Sequence, residues 1–113
     1  MRRSKYGAQK TESDGIVFDS RHEAMRWREL TLLQVAGEIA DLRRQVKYIL
    51  VPAQAGEDGK IAERAVIYVA DFVYRDAHSG DTVVEDAKGM RTRDYIIKRK
   101  LMRYVHGIEI REV

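Results

Sequence analysis

The sequence predicts a mixed α/β domain in which a helix, three strands, a second helix and a final strand follow a small N-terminal hairpin. Three observations carry this reading. A stretch opened by Ser20 and holding Leu30, Leu32, Leu33 and Val35 stops at Gly37. Two runs, residues 45–51 and 65–74, are rich in β-branched and aromatic side chains, and from Thr92 the apolar period lengthens to that of a helix. With 113 residues, the chain can bury one core and is too short for two.

Each element has a local reason. Residues 1–10 are basic and poor in apolar side chains, so a flexible arm is expected there, with residues 11–113 as a single domain. Asp14-Gly15 is a turn dipeptide ahead of Ile16, Val17 and Phe18, which predicts the hairpin. Ser20 is a good N-cap with Glu23 at the capping-box spacing, and Gly37 supplies the stop. Pro52 ends the strand at 45–51 before a polar loop. Residues 65–74 are apolar on both alternating sets except at Asp71, the pattern of a strand covered on both faces. A turn between Asp76 and Asp81 leads into a partner strand over 82–88. Ile97, Leu101, Tyr104 and Val105 fall on one helical stripe that ends at Gly107, and residues 108–113 alternate as the last strand.

Composition excludes several kinds of chemistry. Cysteine is absent, which removes disulfides, thiolate zinc sites and a cysteine nucleophile. No apolar run approaches the roughly 20 residues that span a bilayer, so a soluble, cytoplasmic protein without a membrane partner is expected. There is no glycine-rich phosphate loop or serine-nucleophile motif, and hence no expected nucleotide cofactor. His22, His78 and His106 lack paired ligand spacing and read as surface or capping residues; Trp27, Tyr68, Phe72 and Tyr74 read as core. Net charge is only +3, so the distribution of basic residues matters more than their sum: they cluster at Arg2, Arg3, Lys5 and Lys10 and again between Arg91 and Arg103.

The candidate chemistry lies in the paired strands. Side chains two apart on a strand share a face about 6.6 Å apart, so Asp86 and Lys88 point the same way and Glu85 the other. Pairing outward from the turn brings Asp71 to the neighbourhood of Asp86. Two adjacent carboxylates repel unless they share a proton or a cation, and an all-oxygen pair suits Mg²⁺ or Mn²⁺. An ion pair without chemistry would use the same residues, but burying three ionisable groups is costly. Glu23 has two readings: a capping-box residue, or the opening of its helix's inward face with Trp27 and Leu30.

The stretches "VADF" around Asp71 and "VVEDAKG" around Asp86 and Lys88, with the order helix, three strands, helix, strand, resemble the PD-(D/E)XK nuclease superfamily. Within it the chain is similar to small phage-associated proteins, and more distantly to archaeal-type Holliday junction resolvases. The resemblance implies a restriction-endonuclease-like αβββαβ core with a central mixed sheet flanked by helices. It further implies Asp71 and Asp86 as metal carboxylates, Lys88 as the motif lysine, Glu23 as the first-helix acid and the Ala87 carbonyl as a further ligand. Ala70 stands where the name-giving proline would be.

The implied function is a Mg²⁺-dependent DNA endonuclease, with Mn²⁺ able to substitute, acting in phage or prophage DNA processing or recombination. Arg91, Arg93, Lys98 and Lys100, together with Arg2 and Arg3 of the arm, would meet the phosphate backbone. A chain of this size cannot enclose a duplex alone, which is compatible with a homodimer. Two readings compete: a non-catalytic nucleic-acid-binding or recombination-accessory module with a degenerate site, and a protein-interaction subunit.

Overall fold

The computed structural model describes residues 10–87 and 91–113. Strands β1 (Thr11–Ser13) and β2 (Ile16–Phe18) pair antiparallel about Asp14 and Gly15. Both turn residues have positive φ, 53° and 76°, the pair of values that matches the twist of a two-residue hairpin. Helix α1 (Arg21–Val35) starts where the Ser20 hydroxyl accepts the Glu23 N–H at 3.1 Å, and it ends before Gly37, whose φ of 80° favours glycine.

Strands β3 (Ile39–Val51), β4 (Gln54–Ala55), β5 (Ile61–Glu63), β6 (Val66–Asp76) and β7 (Thr82–Asp86) follow. Helix α2 (Arg93–His106) and strand β8 (Arg111–Glu112) complete the chain. The central sheet has the order β3-β6-β7-β8, antiparallel except for the last pair, which α2 connects as a crossover between parallel neighbours. With the β1-β2 and β4-β5 hairpins set aside, the order is helix, three strands, helix, strand, as the sequence predicts.

The two helices serve two apolar clusters. On the α1 side, Phe18, Ala24, Leu30, Ile39, Phe72, Tyr74 and Ala87 pack together, with Trp27 against Phe18 and Phe72. On the α2 side the cluster is Leu50, Tyr68, Ala70, Val73, Val84, Tyr95, Met102 and Ile110. Side-chain alternation should keep even-numbered residues of one strand on one face, yet β3 sends Leu42 to the α1 cluster and Val46, Tyr48 and Leu50 to the other. Strand β6 does the same, with Tyr68 and Ala70 on the α2 side and Phe72 and Tyr74 on the α1 side. Both strands exchange faces at one level, where Gln45, with φ of 52°, stands in register with Asp71 between the pairs Arg44↔Phe72 and Val46↔Ala70.

Three expectations need correction. Strand β3 begins at Ile39 rather than at 45, because Asp41 (φ 57°) and Gln45 break the alternation by which a strand is read. The polar loop after Pro52 contains the exposed β4-β5 hairpin, too short to leave a periodic signal. On α2 the buried residues are Tyr95 and Met102, with Ile96 and Leu101 partly buried, whereas Ile97 and Tyr104 are 56% and 88% exposed. The inward face is turned from the expected stripe because the Tyr95 hydroxyl reaches Glu112 on β8 and its ring packs beside Tyr68.

Candidate functional site

The register of β6 and β7 runs from Arg75↔Thr82 to Phe72↔Glu85, and one further step sets Asp71 across from Asp86. The Asp71 side chain reaches the next residue, at the exit of β7, its Oδ2 accepting the backbone N–H of Ala87 at 2.7 Å. Asp71 and Asp86 are only 3% and 2% exposed, so each carboxylate has been taken out of water at considerable cost and depends on its donors.

Gln45 supplies one of those donors. Its amide Nε2 lies 3.4 Å from Asp71 Oδ1 and 3.3 Å from Glu23 Oε1, so one side chain links the β6 carboxylate to the first helix. The face exchange makes this reach possible, because it turns the β3 and β6 chains at the level where α1 begins. Gln45 is itself exposed on the edge strand, which places the carboxylates one side chain below the surface.

Glu23 satisfies both of its sequence readings at once. Its N–H completes the N-cap with Ser20, while its carboxylate turns towards the sheet and stands 3.7 Å from Arg44 Nη2. The Arg44 guanidinium lies over the Phe18 ring at 4.4 Å, and among the described residues its buried Nε has no hydrogen-bond partner.

Asp86 points to the α2 side, where its Oδ2 accepts the buried Tyr68 hydroxyl at 2.8 Å. Burial, reinforced by the Asp86 anion, raises the Tyr68 pKa far above the usual tyrosine range, so the hydroxyl remains a donor at any physiological pH. Glu85 points the other way, as strand alternation requires. It takes a guanidinium fork from Arg26, Nε at 2.8 Å and Nη2 at 2.6 Å, and the Tyr74 hydroxyl. The Glu85 hydrogen bond raises the Arg26 pKa, against the opposing effect of burial.

Of the remaining expected site residues, Lys88, Arg2 and Arg3 lie outside the described residues. Arg93 and Lys100 are exposed on α2, and Lys98 is half-buried. Arg91 is paired with Glu112. His22, His78 and His106 are exposed and bond to the Val113 carbonyl, the Glu38 carboxylate and the Ile49 carbonyl, as surface or capping residues would. Among the described residues, no three His, Asp or Glu side chains gather as a ready-made metal cage, and no helix is long and apolar enough to cross a membrane.

A family model described as "Protein of unknown function (DUF1064)" matches residues 3–112. The chain belongs to the DUF1064 family. No curated protein and no solved structure matches it. In this DUF1064 chain, sequence reasoning missed Gln45, Arg44 and Tyr68. Tyr68 lies in the core as its sequence context predicts, but nothing in the order of residues marks which core tyrosine meets a carboxylate. Gln45 carried a faint signal, a polar residue at the head of an apolar run.

Proposed function

We propose that this protein is a metal-dependent DNA endonuclease that hydrolyses phosphodiester bonds. The observation that carries the reading is the junction of Asp71 with the Asp86-Ala87 segment of the adjacent strand, with Glu23 reaching the same Gln45 amide. The donors are all oxygen, which fits Mg²⁺, with Mn²⁺ able to substitute. Mg²⁺ is commonly held by only one or two carboxylates and keeps several waters, so a three-residue cage is not required.

Asp71 and Asp86 would hold the ion, with the Ala87 carbonyl and Glu23 as further ligands. When bound, the ion supplies charge neutralisation at a phosphoryl oxygen and acidifies a water. Tyr68 fixes the Asp86 carboxylate from behind, and Gln45 holds Asp71 and Glu23 in a common orientation. Lys88, two residues past Asp86 in the motif, would orient the attacking water. In the reaction the water oxygen bonds to phosphorus, the ester P–O bond breaks, and a proton passes to the departing oxygen. Arg93, Lys98 and Lys100 of α2 offer positive charge to the backbone.

The test is cleavage of duplex, nicked, flapped and branched DNA with Mg²⁺ and with Mn²⁺. Cleavage abolished by Lys88→Ala and by Asp71→Asn, with DNA binding retained, is the expected result. Binding of DNA by pure protein with no cleavage of any substrate would instead make it a non-catalytic recombination-accessory module. Neither binding nor cleavage would favour a protein-interaction subunit.

A further inference from the structure

Beside the carboxylate site, one residue of β8 gathers an unusual set of donors. Glu112 Oε2 accepts the Tyr95 hydroxyl at 2.8 Å and the Arg99 guanidinium at 3.3 Å, and Oε1 is paired with Arg91. Two guanidiniums and a hydroxyl around one anion are also the donors that grip a phosphate. Glu112 is the parallel-strand partner of Asp86, so this seat lies one strand over from the proposed metal carboxylates. A cleft of about 410 Å³ runs on from it, with Arg99, Lys100 and Arg103 of α2 on one wall and the Ile108 to Glu112 segment on the other.

We propose that Arg91, Tyr95 and Arg99 form a seat for a DNA backbone phosphate, and that Glu112 is its resident competitor, displaced when the nucleic acid binds. The choice of DNA as the source of the phosphate rests on the endonuclease reading. The seat itself rests on geometry. The ion pairs that hold Glu112 are partly exposed, with Arg91 at 65% and Glu112 at 26%, so exchanging a carboxylate for a phosphate costs little. Burial pulls the Glu112 carboxyl up, but the Tyr95 hydroxyl and the two arginines outweigh it and hold the group below the usual carboxylate range, as an anion seat requires.

The experiment is binding of a labelled DNA duplex in EDTA across a salt series, so that neither cleavage nor metal contributes. Glu112→Gln is expected to tighten binding about two- to fivefold, the size of partly exposed ion pairs released. It should also steepen the slope of log affinity against log salt by about one. Glu109→Gln removes the same charge from the same wall and should gain less, since among the described residues no ion pair involves Glu109. In the Arg91→Ala/Arg99→Ala background the gain from Glu112→Gln should vanish. Equal gains from the two glutamine variants, or a gain that survives without the arginines, would overturn the proposal.

Should Glu112→Gln fail to fold, Arg91→Ala at its exposed position decides instead: weaker binding with a shallower salt slope supports the seat, and unchanged binding overturns it. The two readings fail separately. Cleavage by a protein whose affinity ignores Glu112 removes the seat alone, whereas tighter binding by Glu112→Gln without any cleavage removes the endonuclease alone.

Discussion

Glu85 and Asp86 are consecutive on β7 and almost wholly withdrawn from water, yet their surroundings differ in kind. Glu85 is closed by a guanidinium fork and a tyrosine, and through Arg26 it pins α1 to the sheet. Asp86 faces the other helix and accepts a tyrosine hydroxyl, a donor that orients a carboxylate without cancelling its charge. Burial alone therefore does not mark a functional acid. On the proposed endonuclease reading, Glu85 fastens the fold and Asp86 would hold the ion, though both are buried.

The largest effect expected from this contrast is on catalysis. Asp86→Asn should reduce cleavage by roughly a thousandfold or more, several kcal/mol of transition-state stabilisation. Its folding stability should stay within about 1 kcal/mol of the parent, because a buried charge is removed with it. Cleavage rates and urea midpoints on the same preparations check both halves. Arg26→Ala should do the reverse. Leaving Glu85 as an uncompensated buried charge should lower stability by about 3 kcal/mol, read from urea unfolding, with cleavage per folded molecule preserved.

Tyr68→Phe comes next. Loss of one buried hydrogen bond should cost about 1 kcal/mol of stability, and the Mg²⁺ concentration for half-maximal cleavage should rise roughly tenfold or more. An unchanged metal requirement would mean that the hydroxyl serves packing only.

The smallest effects are in pH dependence, and they run in opposite directions. The hydrogen bond to Glu38 raises the His78 pKa, so its small contribution to stability is fully present below about 6.5 and lost as pH rises through the folded value. The lowered Glu112 carboxyl contributes above about 4.3 and loses that contribution as pH falls through its folded value. NMR titration of His78, with and without Glu38→Gln, should show the raised value returning towards normal. A titration that ignores Glu38 would remove the assignment.

How far the sequence could be read depends on the range of the signal. Ser20, Gly37, Thr92 and Gly107 act on their own backbone and marked the helix ends correctly. The proximity of Asp71 to the Asp86-Ala87 segment followed from a turn and a period of two. Orientation was harder. The buried face of α2 is set by Tyr95 reaching Glu112 across a chain separation that periodicity cannot sense, so the apolar stripe through Ile97 and Tyr104 misled. The start of β3 and the role of Gln45 were hidden for a related reason: a left-handed residue in mid-strand breaks the pattern used to find strands.

That left-handed residue has a further implication, for how the family can change its length. At the level of Gln45 and Asp71 the even-numbered side chains of the paired strands pass from one helix's cluster to the other's. Deleting a single residue here in one strand would leave the partner strand's exchange unmatched and slip the pairing by one residue. Insertions and deletions among DUF1064 chains should therefore gather in the β4-β5 excursion and the turn before Asp81, leaving the count of residues around this crossing constant.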